Sequence, residues 1–187
     1  SIPAYFIGSG SNLLISDDGI NGLVLSPGKA FRHLQFNESN LYAESGVMLG
    51  RIVRESIKRN LSGLESLIGV PGTLGGALVM NAGAFGGEIS NYLKNVKIMN
   101  MKGKIKSYSP NDLNFAYRFS SFKKNEFIIS AEFTLKKEDP RLIHEKRDSA
   151  NMGRKSNQPL KFRSAGSVFK NPKKFAAGYL IDKVGLK

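Results

Sequence analysis

Apolar residues at helical spacing mark three segments of the chain. Residues 48 to 61 carry apolar side chains three and four positions apart with charged residues between them, which predicts an amphipathic helix that stops near Gly63. Asp139-Pro140 combines a capping side chain with a proline suited to a first helical turn, so a second helix should begin there and end before Gln158-Pro159. A last short helix is predicted to end at Gly185.

Short apolar runs bounded by turn residues predict strands. We expect strands at residues 5–7, 13–15, Leu23–Leu25 and 127–135, and a hairpin over residues 96–108 that turns at Lys102-Gly103. The strands come in groups and the helices are few, which is typical of an α+β fold and not of regular βαβ alternation.

Charge narrows the class of partner. The chain has 187 residues and a formal net charge of +13, from 28 Lys and Arg against 15 Asp and Glu. Such a balance favours an anionic partner, which leaves open a nucleic acid, an anionic lipid or a polyphosphorylated small molecule. The basic pairs are scattered, without the long block of a nucleic-acid-binding arm. With no cysteine and no apolar run near the roughly 20 residues of a membrane span, we expect a cytoplasmic protein without membrane contact.

Glycine is concentrated in two places. Residues 69–87 hold seven of the 20 glycines, and within them residues 71–76 form what we call the second glycine loop; the first glycine loop is residues 8–12. Bare backbone amides in such loops can bind phosphate oxygens, and two loops could hold the two phosphates of a dinucleotide. For either loop alone, a simple tight turn is the competing interpretation.

The common nucleotide-binding loops and a metal site are disfavoured. Leu13 stands where a Rossmann loop needs its third glycine, and neither Gly28-Lys29 nor Gly103-Lys104 is followed by the Ser or Thr of a P-loop. The two histidines, His33 and His144, stand apart without a ligand pattern. We therefore expect no metal.

Two further segments carry chemistry. Arg118 follows aromatic residues, and its guanidinium could present paired donors to a carboxylate or a developing enolate, although an exposed arginine on a surface strand fits as well. Residues 164–172 combine small residues with a hydroxyl, an ammonium and an amide, although a turn with its polar groups in water fits that composition too. A basic nucleic-acid-binding module remains an alternative for the whole chain, since the net charge is high.

The ordered set of these motifs resembles the UDP-N-acetylenolpyruvoylglucosamine reductase (MurB) family of peptidoglycan synthesis, in its shorter, second type. The resemblance runs from about residue 2 to residue 186, with the motifs in the family's order and spacing. It is carried by residues 8–14, 63–89, Tyr117-Arg118, Gln158-Pro159 and 164–172.

The resemblance implies an FAD-binding fold of the vanillyl-alcohol-oxidase/PCMH type, followed by the start of a MurB-type substrate-binding subdomain. Residues 1–25 would end the first FAD-binding subdomain, residues 26–158 would form the second, and residues 159–187 would begin the third. The chain then looks truncated at both ends. It also has no counterpart of a catalytic glutamate that the family carries further on.

The resemblance also implies a reaction. NADPH reduces non-covalently bound FAD, and the flavin N5 then gives hydride to the enolpyruvyl group of a UDP-sugar substrate. Arg118 matches the arginine that stabilises the enolate-like charge, and Ser167 matches the serine that delivers a proton. A related flavin oxidase with another substrate is the alternative, which the combination of Tyr117-Arg118 with Ser167 disfavours.

The remaining matched positions divide into two groups by ligand. Substrate or its diphosphate would contact Tyr117, Arg154, Lys170 and Asn171. FAD would contact Gly8, Ser9, Gly10, Ser11, Asn12, Pro71, Gly72, Thr73, Gly75, Gly76, Asn81, Ala82 and Gly83, chiefly through their backbone groups.

Overall fold

The computed structural model describes residues 2–158, 161 and 166–186. It divides into two compact units, Ser1–Gly153 and Arg154–Lys187. Mixed strands and helices confirm the α+β class. The strands are β1 (Ala4–Phe6), β2 (Leu23–Leu25), β3 (Leu34–Asn37), β4 (Asn40–Glu44), β5 (Leu61–Ser62), β6 (Gly83–Ala84), β7 (Gly87–Glu88), β8 (Leu93–Asn100), β9 (Ile105–Tyr108), β10 (Phe115–Ala116), β11 (Phe119–Ser120), β12 (Glu126–Thr134) and β13 (Lys136–Lys137), and the α-helices are α1 (Leu49–Lys58), α2 (Leu74–Val79), α3 (Pro140–Asn157) and α4 (Ala177–Lys183).

A five-stranded antiparallel sheet of order β3-β4-β12-β8-β9 is the centre of the first unit. The middle strand, β12, buries Ile128, Ala131 and Phe133 in the hydrophobic core, whereas Phe127 is buried in contact with the rings of Phe6 and Phe31. Strand β12 confirms the prediction for residues 127–135. The predicted hairpin is also confirmed, since β8 and β9 pair on either side of a turn in which Gly103 has a φ of 76°.

Helix α1 confirms the amphipathic prediction, with its apolar side chains in the same core as the sheet. Its end differs, because the helix stops at Lys58 and not near Gly63. Asn60 takes the left-handed conformation, with a φ of 56°, which ends a helix as asparagine often does. Leu61, the last residue of the apolar pattern, is therefore buried from β5 and not from the helix.

The strand prediction for residues 13–15 is wrong. Strand β1 pairs in parallel with β2, as the strand predictions for residues 5–7 and Leu23–Leu25 allow. After the first glycine loop, however, the backbone N–H of Leu13 closes a turn on the carbonyl of Gly10 at 3.3 Å, and residues 13–15 join no sheet. Leu14 is 99% exposed. An apolar run becomes a strand only where a partner strand takes its backbone hydrogen bonds.

The two predicted late helices are present. Helix α3 begins at Pro140, after Asp139 accepts a hydrogen bond from the backbone N–H of Arg141 at 2.8 Å. Helix α4 belongs to the second unit and ends two residues before Gly185, whose φ is 73°. Within the described ranges no helix has the length and hydrophobicity that crossing a membrane requires. The subdomain limits proposed at residues 25 and 158 stay predictions. Pro159, which is expected to follow the end of the helix, lies outside the described residues.

Candidate functional site

The two glycine loops contact each other. The hydroxyl of Ser11 donates a hydrogen bond to the carbonyl of Pro71 at 3.4 Å, and a Cβ added to Gly72 would lie 3.3 Å from the same hydroxyl oxygen. A Cβ on Gly8 would collide with the hydroxyl oxygen of Thr73. The absence of side chains at Gly8 and Gly72 is thus what allows the loops to approach, and it leaves a concave surface of backbone groups.

The second glycine loop is held at the start of α1. Gly72 has a φ of 130°, a conformation that residues with a side chain rarely adopt. Its carbonyl accepts the backbone N–H of Leu49, the first residue of α1, at 2.9 Å. The N–H of Leu74 donates to the carbonyl of Val47 at 2.8 Å. These backbone bonds fix the loop against the rigid core, so its remaining polar groups have a defined position.

Two buried hydroxyl groups beside the loops have no partner among the described residues. Thr73 is 3% exposed and Ser45 is 1% exposed, yet neither side-chain oxygen makes a hydrogen bond there. Thr73 immediately precedes α2 but does not cap it with its side chain. A buried, unpaired hydroxyl costs free energy. Such a hydroxyl in a glycine-lined concavity favours a ligand-binding site, since a ligand oxygen or N–H would supply the missing hydrogen bond.

A cavity of about 320 Å³ opens between the two glycine loops and the start of α1. Two arginines line it, Arg32 and Arg51, and sequence reasoning missed both because neither lies in a glycine motif. In the part of the chain that the structure describes, no carboxylate lines this cavity. The lining consists of Gly8, Ser9, Ser26, Gly28, Arg32, Gly46, Val47, Met48, Arg51 and Thr73.

Helix α2 separates the loop contact from a second cluster of predicted residues. Thr73 precedes its first residue, and Asn81 follows its last by two. A six-residue helix is about 9 Å long. The hairpin formed by β10 and β11 is fastened at the far end, where the hydroxyl of Ser120 donates to the carbonyl of Val79 at 2.6 Å and the side-chain amide of Asn81 donates to the carbonyl of Ala116 at 3.1 Å. Helix α2 therefore acts as a fixed spacer.

Arg118 lies at the tip of that hairpin. Its φ is 54°, a left-handed conformation that aims the side chain back towards the segment after α2. The guanidinium donates to the carbonyl of Gly83 at 2.6 Å and lies 5.0 Å from the ring centroid of Tyr117, a cation–π contact. The side chain is half-buried, so a positive charge is held in place with part of its surface still open.

The segment under Arg118 depends on close backbone approach. A Cβ on Gly83 would lie 2.9 Å from the carbonyl oxygen of Gly87 and 3.3 Å from the guanidinium of Arg118. Asn81 is fully buried, and its amide nitrogen also donates to the carboxylate of Glu88 at 2.8 Å. Its amide oxygen has no partner among the described residues. The structure thus brings the predicted residues Asn81, Gly83 and Arg118 together.

The other predicted site residues lie in the second unit. Ser167, Lys170 and Asn171 are exposed, and Arg154 is half-buried near the end of α3. The side-chain oxygen of Asn171 accepts the backbone N–H of Ala177, the first residue of α4, at 2.9 Å. Residues 164 and 165 of the predicted motif lie outside the described residues. The roles of all these residues stay predictions, as do the cofactor contacts of both glycine loops.

Comparison with known proteins connects these features. A family model for an FAD binding domain matches residues 1–109, more than half of the chain. A model for the C-terminal domain of UDP-N-acetylenolpyruvoylglucosamine reductase matches residues 158–187. The crystal structure of that reductase (MurB) from Thermus caldophilus superposes with a TM-score of 0.88 at 34% sequence identity, over 100% of this chain and 68% of the other. The chain belongs to the UDP-N-acetylenolpyruvoylglucosamine reductase family.

Curated members of the family agree over the full chain. The reductase of Clostridioides difficile strain 630 is 43% identical over 188 residues, and that of Listeria monocytogenes serovar 1/2a is 41% identical over 187. Both matches cover 100% of this chain and 62% of the relative. The chain thus spans less than two thirds of the length of these relatives. The family assignment confirms the resemblance and the FAD-binding fold that the ordered motifs predicted.

Proposed function

We propose that the chain works as a flavoenzyme that reduces UDP-N-acetylglucosamine enolpyruvate to UDP-N-acetylmuramate with NADPH, in the synthesis of peptidoglycan precursors. The observation that carries the proposal is the contact of the two glycine loops around the buried hydroxyl of Thr73, which has no partner among the described residues. This contact lies at one end of α2, and the hairpin that carries Arg118 is attached at the other end. The relatives named above are reductases of this substrate class by their names.

The residues present fit FAD. Gly8 and Gly72 allow the two loops to approach where a Cβ would interfere, and the hydroxyl of Thr73 has no partner among the described residues. In this proposal the loops hold the diphosphate of the cofactor, and residues 81–83 approach it from the other end of α2. FAD, when bound, supplies hydride transfer between NADPH and the substrate. The protein supplies the binding, the orientation and the charge.

Arg118 carries the electrostatic part of the chemistry. Because one guanidinium nitrogen donates a hydrogen bond to the carbonyl of Gly83, the remaining N–H donors have a fixed direction before the substrate binds. Reduction of an enolpyruvyl group places negative charge on the substrate carboxylate. A positioned donor aimed at developing charge is typically worth about 2.7–4 kcal/mol. Tyr117, in contact with the guanidinium, would border the substrate at the same place.

Ser167, Lys170, Asn171 and Arg154 have the proposed roles of proton donor and of further polar and positive groups. Ser167 has an exposed hydroxyl, and in this proposal it protonates the carbon next to the one that receives hydride. Lys170, Asn171 and Arg154 bind the substrate diphosphate, and NADPH uses the same positive region in turn. Serine is a weak acid in water, so its proton transfer in this proposal depends on a relay that returns a proton to the hydroxyl and on the adjacent carboxylate group of the substrate.

Cofactor uptake tests the proposal directly. The purified chain is mixed with FAD, separated from free flavin by gel filtration and examined for visible flavin absorbance. We expect the absorbance to co-elute with the protein, to bleach on anaerobic addition of NADPH and to return when the enolpyruvyl substrate is added. A chain that retains no flavin contradicts the proposed cofactor. A chain that retains flavin but does not respond to this substrate contradicts the proposed reaction.

Substitution of the two proposed catalytic residues should separate the half-reactions. Arg118→Ala and Ser167→Ala should each leave flavin reduction by NADPH largely intact, because neither residue is proposed to act in that step. Reoxidation by the substrate should slow about 100- to 1,000-fold for Arg118→Ala. Stopped-flow absorbance measures both rates. Lys123→Ala, which removes an exposed cation close in sequence, is the matched control; equal loss of both half-reactions in the Arg118 variant would show that its role is misassigned.

A further inference from the structure

The arginines of the loop cavity have no anionic partner in the part of the chain that the structure describes. Arg32 follows the turn after β2, and Arg51 lies in the first turn of α1, so the two reach the same cavity from different elements. Both are exposed, and among the described residues neither makes an ion pair or a side-chain hydrogen bond. Arg59, by contrast, forms an ion pair with Glu55. Two cations that form no ion pair with the described residues therefore border one concave site.

The other walls of this cavity are suited to phosphate oxygens. Gly8 and Ser9 contribute the backbone of the first glycine loop, and Thr73 contributes a buried hydroxyl with no partner among the described residues. Arginine presents a rigid fork of N–H donors that matches a phosphate with two parallel bonds. Small-molecule sites usually occupy about 300–1,000 Å³. A cavity of about 320 Å³ thus has room for part of a dinucleotide and not for all of it.

We propose that Arg32 and Arg51 bind the diphosphate of the dinucleotide cofactor, with the hydroxyl of Thr73 and the backbone of the first glycine loop. This inference rests on the proposed function for the identity of the ligand. It adds to that function a charged clamp outside both glycine motifs. Backbone N–H groups alone offer partial charges to a group that carries two negative charges. The arginine pair neutralises that charge, and it gives the site a preference for FAD over a flavin without a diphosphate.

Charge-neutral variants test the clamp. Arg32→Gln and Arg51→Gln should each raise the Kd for FAD about five- to tenfold. This is less than the full loss of a charged hydrogen bond, because water screens the exposed side chains. Quenching of flavin fluorescence gives the Kd. Riboflavin, which lacks phosphate, should bind equally to all variants. Arg54→Gln is the matched control, because it removes the same charge from an exposed position of α1 that does not line the cavity.

Inorganic pyrophosphate separates this inference from the proposed function. It should raise the unfolding temperature of the unaltered chain, and less so that of Arg32→Gln or Arg51→Gln. If pyrophosphate raises the unfolding temperature only when both arginines are present, and the chain takes up no FAD, the clamp is supported and the flavin cofactor is refuted. If Arg54→Gln loses as much FAD affinity as the other two variants, the effect comes from the net charge of the chain, and the clamp is overturned. Unchanged FAD binding in both variants would overturn it as well.

Discussion

Thr73 combines a buried side chain with a hydroxyl unsatisfied within the described residues, a combination that favours ligand binding over the stability of the ligand-free chain. Its side chain is almost fully buried, and its hydroxyl has no partner among the described residues. The collision that a Cβ on Gly8 would make places this hydroxyl directly under the first glycine loop. A group that only supported the fold would be expected to use its hydrogen bond within the fold. In the proposed function, the hydroxyl of Thr73 therefore lowers the stability of the ligand-free chain and strengthens cofactor binding.

Thr73→Val should change stability and FAD binding in opposite directions. Removing the unpaired hydroxyl while keeping the branched shape should raise the free energy of unfolding of the ligand-free chain by about 1 kcal/mol. The same change should weaken FAD binding by roughly fivefold, since a bond to the cofactor is lost. Urea unfolding and flavin fluorescence measure the two effects. Thr73→Ser, which keeps the hydroxyl, is the control for binding. A loss of stability in Thr73→Val would mean that the hydroxyl has a structural role.

At the scale of elements, α1 and α2 decide where the site lies. Helix α1 buries its apolar side chains in the same core as the sheet, and the backbone N–H of its first residue, Leu49, donates to the carbonyl of Gly72. Helix α2 is short and glycine-rich, and it separates the loop contact from the Arg118 hairpin by its own length. Because both helices are packed in the core, they hold the polar groups of the site at a fixed spacing. The glycines within and just before α1, however, are not all needed to hold this spacing.

Gly50 and Gly46 should respond oppositely to alanine. A Cβ on Gly50, inside α1, meets nothing within 4 Å except the guanidinium of Arg54 at 3.4 Å, so Gly50→Ala should stabilise the chain by roughly 0.5–1 kcal/mol. A Cβ on Gly46 would lie 2.6 Å from the backbone carbonyl oxygens of Pro27 and Phe31, so Gly46→Ala should destabilise it. Urea unfolding compares the two variants. A destabilising Gly50→Ala would contradict the helical first turn of α1.

At the scale of the molecule, the net charge of +13 is the feature that requires an explanation. The nucleic-acid alternative and the flavoenzyme proposal both account for it, because both involve anionic ligands. They differ in the number of phosphates that are contacted at once. Dinucleotides carry two phosphates, whereas a nucleic-acid surface engages many, and the salt dependence of binding grows with that number.

Salt should therefore distinguish the two ligands. Between about 50 and 200 mM salt, FAD affinity should fall modestly, while any binding of duplex DNA should fall by several orders of magnitude. Flavin fluorescence and the anisotropy of a labelled DNA duplex follow the two ligands in the same buffer series. Riboflavin serves as the uncharged reference. Tight DNA binding that survives the higher salt, together with no response to flavin, would favour the nucleic-acid-binding module over the reductase.

The sequence alone determined the features that depend on near neighbours. The periodic apolar residues of α1, the continuous run of β12 and the turn at Gly103 are local patterns, and each formed the element it predicted. The ordered glycine, arginine and serine motifs were sufficient to indicate the family, because order and spacing survive when single loops are ambiguous. The class of ligand followed from the same motifs.

Only the tertiary structure decided which distant residues meet. The parallel pairing of β1 with β2 left residues 13–15 without a sheet, although their composition is that of a strand. Arg32 and Arg51 reach the cavity beside Thr73 from separate elements, and nothing in their local sequence indicates it. The hydroxyl of Thr73 lost its solvent without gaining a partner among the described residues because of how the loops pack. Local propensity acts over a few residues, whereas burial and charge proximity arise only when the chain closes on itself.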